Sequence, residues 1–283
     1  MSAPASAVGV VTVALPGADG HLGLSWAAQT NTGLKRAENQ DSFLAVAPVF
    51  AVADGMGGHA AGDEASAAVV ARLAERLEGA FASTDEITAA LRRASADIGE
   101  IVGVYDRAGA RPGAGTTVAG IALTLQAQMP YWAVFNIGDS RVYSLVDGVL
   151  TQLTVDHSAV QAMVDSGRIT ALEAESHPNR NIITRAVGFG RNPVPDLWFI
   201  PVTQGARLLI CSDGLTKEVD FGLIRLLLTE ATDADDAAGL LLEAALAAGG
   251  RDNVTTVVVE VIRADDEAEL DTTLPRYDGR VSP

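Results

Sequence analysis

Helical apolar spacing occurs in this chain as neighbouring pairs, and that pairing removes most of the folds open to a mixed sequence. Ala60 to Glu78 carries Val69, Val70, Leu73 and Leu77 at helical spacing, with Arg72, Glu75, Arg76 and Glu78 largely on the other side. A second helix is expected from about Asp85 to Asp106, opened by a capping box at Ser83-Thr-Asp-Glu86. The other pair comes much later, at about Asp220–Glu230 and Asp235–Ala248. Parallel strands need a crossover between each strand and the next, so paired helices disfavour βαβ alternation. Strands are expected at Leu22–Gln29, Ser42–Asp54, Thr117–Leu125, Tyr131–Asn136, Arg141–Leu145, Val149–Leu153, Leu197–Val202, Arg207–Ser212 and Asn253–Ile262. This order fits an α+β fold with one core, in which antiparallel sheets carry their helices outside.

Residues 1–21 are rich in Ala, Gly, Pro and Ser and read as a flexible lead-in, and residues 263–283 as a flexible acidic tail. Asp156 to Arg191 interrupts the strand rhythm with polar sequence and two short helices, Ala159–Asp165 and Ala171–Glu175. Irregular insertions of this length usually serve as lids or binding loops.

Five acidic segments stand where an apolar run hands over to a loop. They are Arg36-Ala-Glu38-Asn39-Gln-Asp41, Ala53-Asp54-Gly55-Met56-Gly57-Gly58-His59, Gly138-Asp139-Ser140-Arg141, Cys211-Ser212-Asp213-Gly214 and Arg251-Asp252-Asn253. One Asp-Gly at a strand end is ordinarily a turn. Several together gather carboxylates at one end of a sheet core, where hard cations relieve their repulsion. Asp54, Asp213 and Asp252 could supply oxygen ligands from three strand ends, Glu38 a fourth, and the Gly55 carbonyl another. Two cations sharing a water would lower its pKa into the neutral range, and the resulting hydroxide could attack phosphorus in line. Arg36, two residues before Glu38, is placed to clamp phosphate with its planar fork of donors.

Composition narrows the partners. The chain has 20 Lys+Arg against 36 Asp+Glu, a formal net charge of −16, which argues against nucleic acid or an anionic membrane surface. No apolar stretch reaches the roughly 18 to 20 residues of a membrane span, and the N-terminus has no basic region ahead of its apolar residues, so a cytoplasmic location is the default expectation. Cys211 is the single cysteine and reads as a small buried hydrophobe. No Gly-Lys-Ser/Thr phosphate loop and no Gly-x-Ser-x-Gly elbow is present.

Eight motifs, in order, resemble the metal-dependent serine/threonine protein phosphatases of type 2C, across roughly residues 22–262. They are Arg36-Ala-Glu-Asn-Gln-Asp41, Val52-Ala-Asp-Gly-Met-Gly-Gly-His59, Gly115-Thr-Thr117, Asn136-Ile-Gly-Asp-Ser-Arg141, Leu153-Thr-Val-Asp-His-Ser158, Ile183-Thr-Arg-Ala-Val-Gly188, Cys211-Ser-Asp-Gly-Leu215 and Arg251-Asp-Asn-Val-Thr-Thr256. Met56-Gly57-Gly58 is similar to the bacterial branch. The resemblance implies a four-layer αββα sandwich of two antiparallel β-sheets flanked by helix pairs, with two Mn²⁺ or Mg²⁺ ions at one edge. It implies that Asp54 bridges both ions, that Asp213 and Asp252 complete one, and that Glu38 and the Gly55 carbonyl serve the other. Asp41 would hold metal-bound water, Asp139 with Asp213 would form a weaker third-metal site, Arg36 would grip phosphate, and residues 156–191 would be the flap.

The implied activity is hydrolysis of phosphoserine and phosphothreonine in proteins by direct attack of the metal-bridging hydroxide. Phosphorylated proteins, including Ser/Thr kinases and their substrates, would be the partners of a monomer. Two other readings are a phosphatase dedicated to one regulatory phosphoprotein and a silent phosphoprotein-binding relative. Met56 stands where eukaryotic members place a proton-donating His; His59, three residues further on, reads as structural or as a substitute donor, a third-metal water is another source, and His157 reads as a scaffold residue. Thr272-Thr273 in the tail is a candidate phosphorylation site.

Overall fold

Strands in this molecule send successive side chains into two different apolar layers, and that alternation stacks the layers. The computed structural model describes residues 5–16, 20–57, 61–75, 79–107, 113–190 and 193–264. In β4 (Val49–Gly57), Val49, Ala51 and Ala53 face a helical layer while Phe50 and Val52 face the opposite sheet. β12 (Val254–Ala264) does the same: Val257, Val259 and Val261 point between the sheets and Val258 points outward.

One sheet runs in the spatial order β1 (Ala5–Ala14), β2 (His21–Asn31), β12, β11 (Arg207–Cys211), β8 (Arg141–Val146), β9 (Val149–Gln152). The other runs β10 (Asp196–Pro201), β7 (Met129–Ile137), β6 (Val118–Gln126), β4, β3 (Asp41–Val46), with the short β5 (Ala114–Thr116) against the end of β4. Every pairing between these strands is antiparallel. Between the sheets, Trp26 meets Phe50 edge-on at 5.3 Å and Phe50 meets Trp132 at 6.3 Å, an aromatic chain that crosses the interface. On the helix-facing side of the second sheet, Gly120 in β6 makes room for the Phe135 ring opposite it, since a Cβ there would lie 2.3 Å from Phe135 Cζ and 2.6 Å from the Phe50 carbonyl oxygen.

Helices α1 (Ala61–Ala74) and α2 (Thr84–Arg107) cover the outer face of the second sheet through Val69, Leu73, Leu91 and Ile98. Helices α6 (Phe221–Glu230) and α7 (Ala234–Ala248) cover the first through Ile224, Leu228, Leu241 and Ala245. The result is the expected four-layer αββα sandwich. The Ser83–Glu86 capping box forms, with Ser83 N–H donating to Glu86 Oε2 at 2.7 Å and Glu86 N–H to Ser83 Oγ at 3.2 Å. No helix among the described residues is long and apolar enough to cross a membrane.

Three expectations are corrected. The lead-in contains a ten-residue strand, β1, paired with β2 from Ala5↔Thr30 to Ala14↔His21. The apolar run from Ser42 to Asp54 is two strands, because it reverses at Ala47-Pro48, where proline fixes φ and offers no N–H. The Gly-rich turn ending at Gly115 carries β5. Of the tail, Arg263 and Ala264 continue β12, while residues 265–283, including Thr272 and Thr273, lie outside the described residues.

Candidate active site

Antiparallel pairing brings a start of one strand beside an end of the next, and the acidic segments occupy the starts and ends at one edge. Asp41 opens β3 directly opposite Asp54 in β4. Asp139 lies in the turn from β7 to β8, Asp213 starts the single turn α5 (Asp213–Thr216) after β11, and Asp252 precedes β12. Arg36 and Glu38 lie on the connection from β2 to β3.

Asp41 is buried, and its Oδ2 accepts from Ser212 Oγ at 2.8 Å and Thr255 Oγ1 at 2.7 Å. Its Oδ1 is enclosed without a partner. Burial pushes this carboxyl up to about 7; the two hydroxyls pull against that shift, and Asp213 and Asp252 add to it. Asp139, 6 % exposed, also has an unpartnered Oδ1 and is pushed to about 7 by burial, by Asp213 and by Asp156. Asp54 is shifted well upward by burial first, then by the charges of Asp41, Asp213, Asp139 and Asp252. Asp213 follows the same direction through burial and Asp252, opposed by an ion pair with Lys217. Four carboxylates held above their ordinary range, three of them with an enclosed oxygen, form with Asp252 a donor set suited to a hard divalent cation.

Backbone geometry supports that edge. Gly55 N–H donates to the Gln40 carbonyl at 3.0 Å, and a Cβ on Gly55 would lie 2.1 Å from the Gly62 carbonyl oxygen, so only glycine fits beside Asp54. Asp54 N–H donates to Thr117 Oγ1 at 3.0 Å, and Thr117 Oγ1 meets Ser140 Oγ at 2.7 Å. Asn253 ties down the connection that carries Arg36 and Glu38. Its Nδ2 donates to the carbonyls of Thr32 and Glu38, both at 2.9 Å, and its Oδ1 accepts from Gln40 N–H at 2.8 Å.

The candidate residues are not all drawn inward equally. Arg36 is exposed and donates to Asp252 Oδ2 at 2.8 Å. The Glu38 side chain is exposed, and its carbonyl, not its carboxylate, makes the hydrogen bond described above. Among the described residues, no three His, Cys, Asp or Glu side chains close around a common point as they stand. Asp213 is instead held by Lys217, and Asp252 by Arg36. Met56 has no proton to give; His59 lies outside the described residues. His157 is a scaffold residue: Nδ1 accepts from Gly138 N–H at 3.0 Å, and Nε2 lies 3.1 Å from Asp196 Oδ2 and 2.7 Å from Arg185 Nη1. Cys211 is buried, and its thiol is pushed up to about 12, chiefly by burial, which removes it as a nucleophile.

Sequence reasoning missed Ser212, Thr255 and Lys217. The available signals were a hydroxyl next to Asp213, two consecutive threonines in an otherwise apolar strand, and a Lys four residues after Asp213. The inserted segment contains α3 (Ala159–Asp165) and α4 (Ala171–Glu175) as expected. Bridges Ser158↔Ile183 and Thr116↔Val187 pin it to itself and to β5. Between α3, α4 and α6 a cleft of about 840 Å³ opens onto Asp139, Asp213 and Asp252.

The profile of the protein phosphatase 2C family matches residues 34–241. The chain is 41 % identical over 247 residues to the serine/threonine protein phosphatase PstP of Mycobacterium tuberculosis, covering 86 % of this chain and 46 % of that protein. It thus spans about half the length of that relative. It is 35 % identical over 226 residues to the serine/threonine phosphatase stp of Listeria monocytogenes, covering 79 % of this chain and 86 % of the relative. The crystal structure of the Mycobacterium tuberculosis phosphatase PstP/Ppp superposes with a TM-score of 0.77 at 39 % identity, over 85 % of this chain and 99 % of that one. The PstP catalytic domain in complex with two manganese ions gives a TM-score of 0.74 at 39 % identity, with the same coverage.

Proposed function

The chain belongs to the protein phosphatase 2C family, and from that premise we propose that it hydrolyses phosphoserine and phosphothreonine in proteins with the help of Mn²⁺ or Mg²⁺. The observation that carries the reading is the gathering of Asp41, Asp54, Asp139, Asp213 and Asp252 at one edge, with one oxygen each of Asp41, Asp139 and Asp213 enclosed and unpartnered. Asp54, the Gly55 carbonyl and Glu38 would hold one ion, Asp54, Asp213 and Asp252 a second, and Asp139 with Asp213 a weaker third. Bound ions supply Lewis acidity toward phosphoryl oxygens and acidify a coordinated water.

The chain's own groups do the rest. Ser212 and Thr255 fix Asp41 so that its other oxygen faces the cluster as an acceptor for water. Arg36, exposed at the rim, takes the phosphate with its guanidinium donors. The adjoining cleft accommodates the polypeptide that carries the phosphorylated residue. Met56 leaves the leaving alkoxide without a side-chain donor at that position. Phosphorylated Ser/Thr kinases and their substrates are the proposed partners of a monomer acting in the cytoplasm; this is consistent with the acidic charge and the absence of a membrane-crossing helix among the described residues.

The test is hydrolysis of p-nitrophenyl phosphate and a phosphothreonine peptide in EDTA, Mg²⁺ or Mn²⁺, beside Asp54→Asn. Turnover should need added metal and fall on the order of a thousandfold or more in the variant, with the melting curve retained. Near-normal turnover in a folded, metal-loaded Asp54→Asn protein would sink the reading. No turnover by folded wild type with any metal would favour the silent binding relative. Arg36→Ala should raise KM for the phosphopeptide more than it lowers kcat, and an unchanged KM would remove Arg36 as the clamp.

A further inference from the structure

We infer that Lys217 is a tethered counter-cation that holds the Asp139–Asp213 side of the cluster in the ion-free protein and must be displaced for a divalent ion to bind there. This rests on the reading of the cluster as a divalent-cation site. Lys217 caps the one-turn helix α5, and i,i+4 spacing brings its ammonium onto the Oδ2 of Asp213. Among the described residues it is the one Lys or Arg ion-paired with Asp41, Asp54, Asp139 or Asp213. Burial pulls its pKa down, but Asp213, Asp139 and Asp252 more than reverse that, so the ammonium is firmly charged and serves three carboxylates.

One ammonium cannot complete that site. Asp139 Oδ1 and Asp213 Oδ1 remain enclosed without partners, whereas a divalent cation takes several oxygens at once. Among the described residues no three His, Cys, Asp or Glu side chains close around a common point, and Asp213 is drawn to Lys217. The displaced side chain has somewhere to go: it is 34 % exposed and lines the 840 Å³ cleft. A flexible four-carbon stem allows that swing at small cost, which a guanidinium fork on the same carboxylate would resist.

The test is Mn²⁺ titration calorimetry on the whole protein, together with melting in EDTA, for wild type, Lys217→Met and Lys217→Arg. Lys217→Met should melt lower in EDTA, because Asp213 loses its counter-charge. It should also bind the weakest Mn²⁺ tighter by roughly three- to tenfold, the scale of a partly buried ion pair. Lys217→Arg should stay at or weaker than the wild-type affinity and keep the ion-free melting point. Lys217→Gln carries the same Mn²⁺ expectation as Lys217→Met and replaces it if that variant does not fold. Mn²⁺ affinity that is unchanged or weaker in both neutral variants overturns the inference, as does Lys217→Arg behaving like Lys217→Met. Binding heat and melting are read without turnover, so a protein that binds Mn²⁺ but hydrolyses nothing would refute the phosphatase reading and leave this one standing.

Discussion

Thr255 and Ser212 both donate to the same oxygen of Asp41, and these two hydroxyls oppose the burial that pushes its pKa to about 7. Thr255→Val removes one of them at almost constant volume. The acidic limb of the pH–rate profile should then move to higher pH, because Asp41 needs more alkaline solution to ionise; an unmoved limb would show that Asp41 does not govern it. The same shifts set the stability of the metal-free protein. Asp41 and Asp139 rise from an ordinary 3.8 to about 7, so between those values the folded state keeps protons that the unfolded chain has released. Stability in EDTA should therefore fall as pH rises across that window, and the melting temperature at about pH 5.5 should exceed that at about pH 7.5. A flat or inverted trend would contradict the burial described here. The aspartates were legible because each stands at the end of an apolar run. Lys217 and the hydroxyls were not, since their roles depend on neighbours 43 to 214 positions away or on a one-turn helix too short for a periodic signal.

Element-scale signals were read well where side-chain pattern and end chemistry agree. The capping box at Ser83 was legible for that reason, and Ser83→Ala should cost about 1 kcal/mol in denaturant unfolding with turnover unchanged. The hairpin between β3 and β4 was hidden because both strands are apolar and only Pro48 interrupts them. β1 escaped for the opposite reason. Its residues are small and its valines fall on both faces, Val11 and Val13 toward the core and Val8 and Val10 exposed, so no alternation stands out. Packing at the centre is less forgiving than at these margins. Gly120→Ala would set a methyl against Phe135 and the Phe50 carbonyl, and should destabilise by about 1–3 kcal/mol in the same unfolding experiment. A neutral result would mean that Phe135 can shift in the layer between sheet and helices.

At the scale of the whole molecule, helix pairing was enough to exclude a parallel sheet, but strand order was not readable. β2 lies between β1, its neighbour in sequence, and β12, which is more than 200 residues away. Nothing local encodes such a pairing, because it is decided by which apolar faces close the sandwich best. Removing residues from Arg251 onward should therefore abolish cooperative unfolding altogether; a sharp two-state transition in that truncated chain would show that the remaining strands suffice. The insertion of β12 between β2 and β11 also sets a clock. Asp252 and Asn253 stand just ahead of β12, and Asn253 is what secures the connection bearing Arg36 and Glu38. A nascent chain on the ribosome can thus hold Asp41, Asp54, Asp139 and Asp213 and still lack an assembled reaction centre. The acidic edge is therefore complete only once β12, the last strand in the described sequence, has paired between β2 and β11.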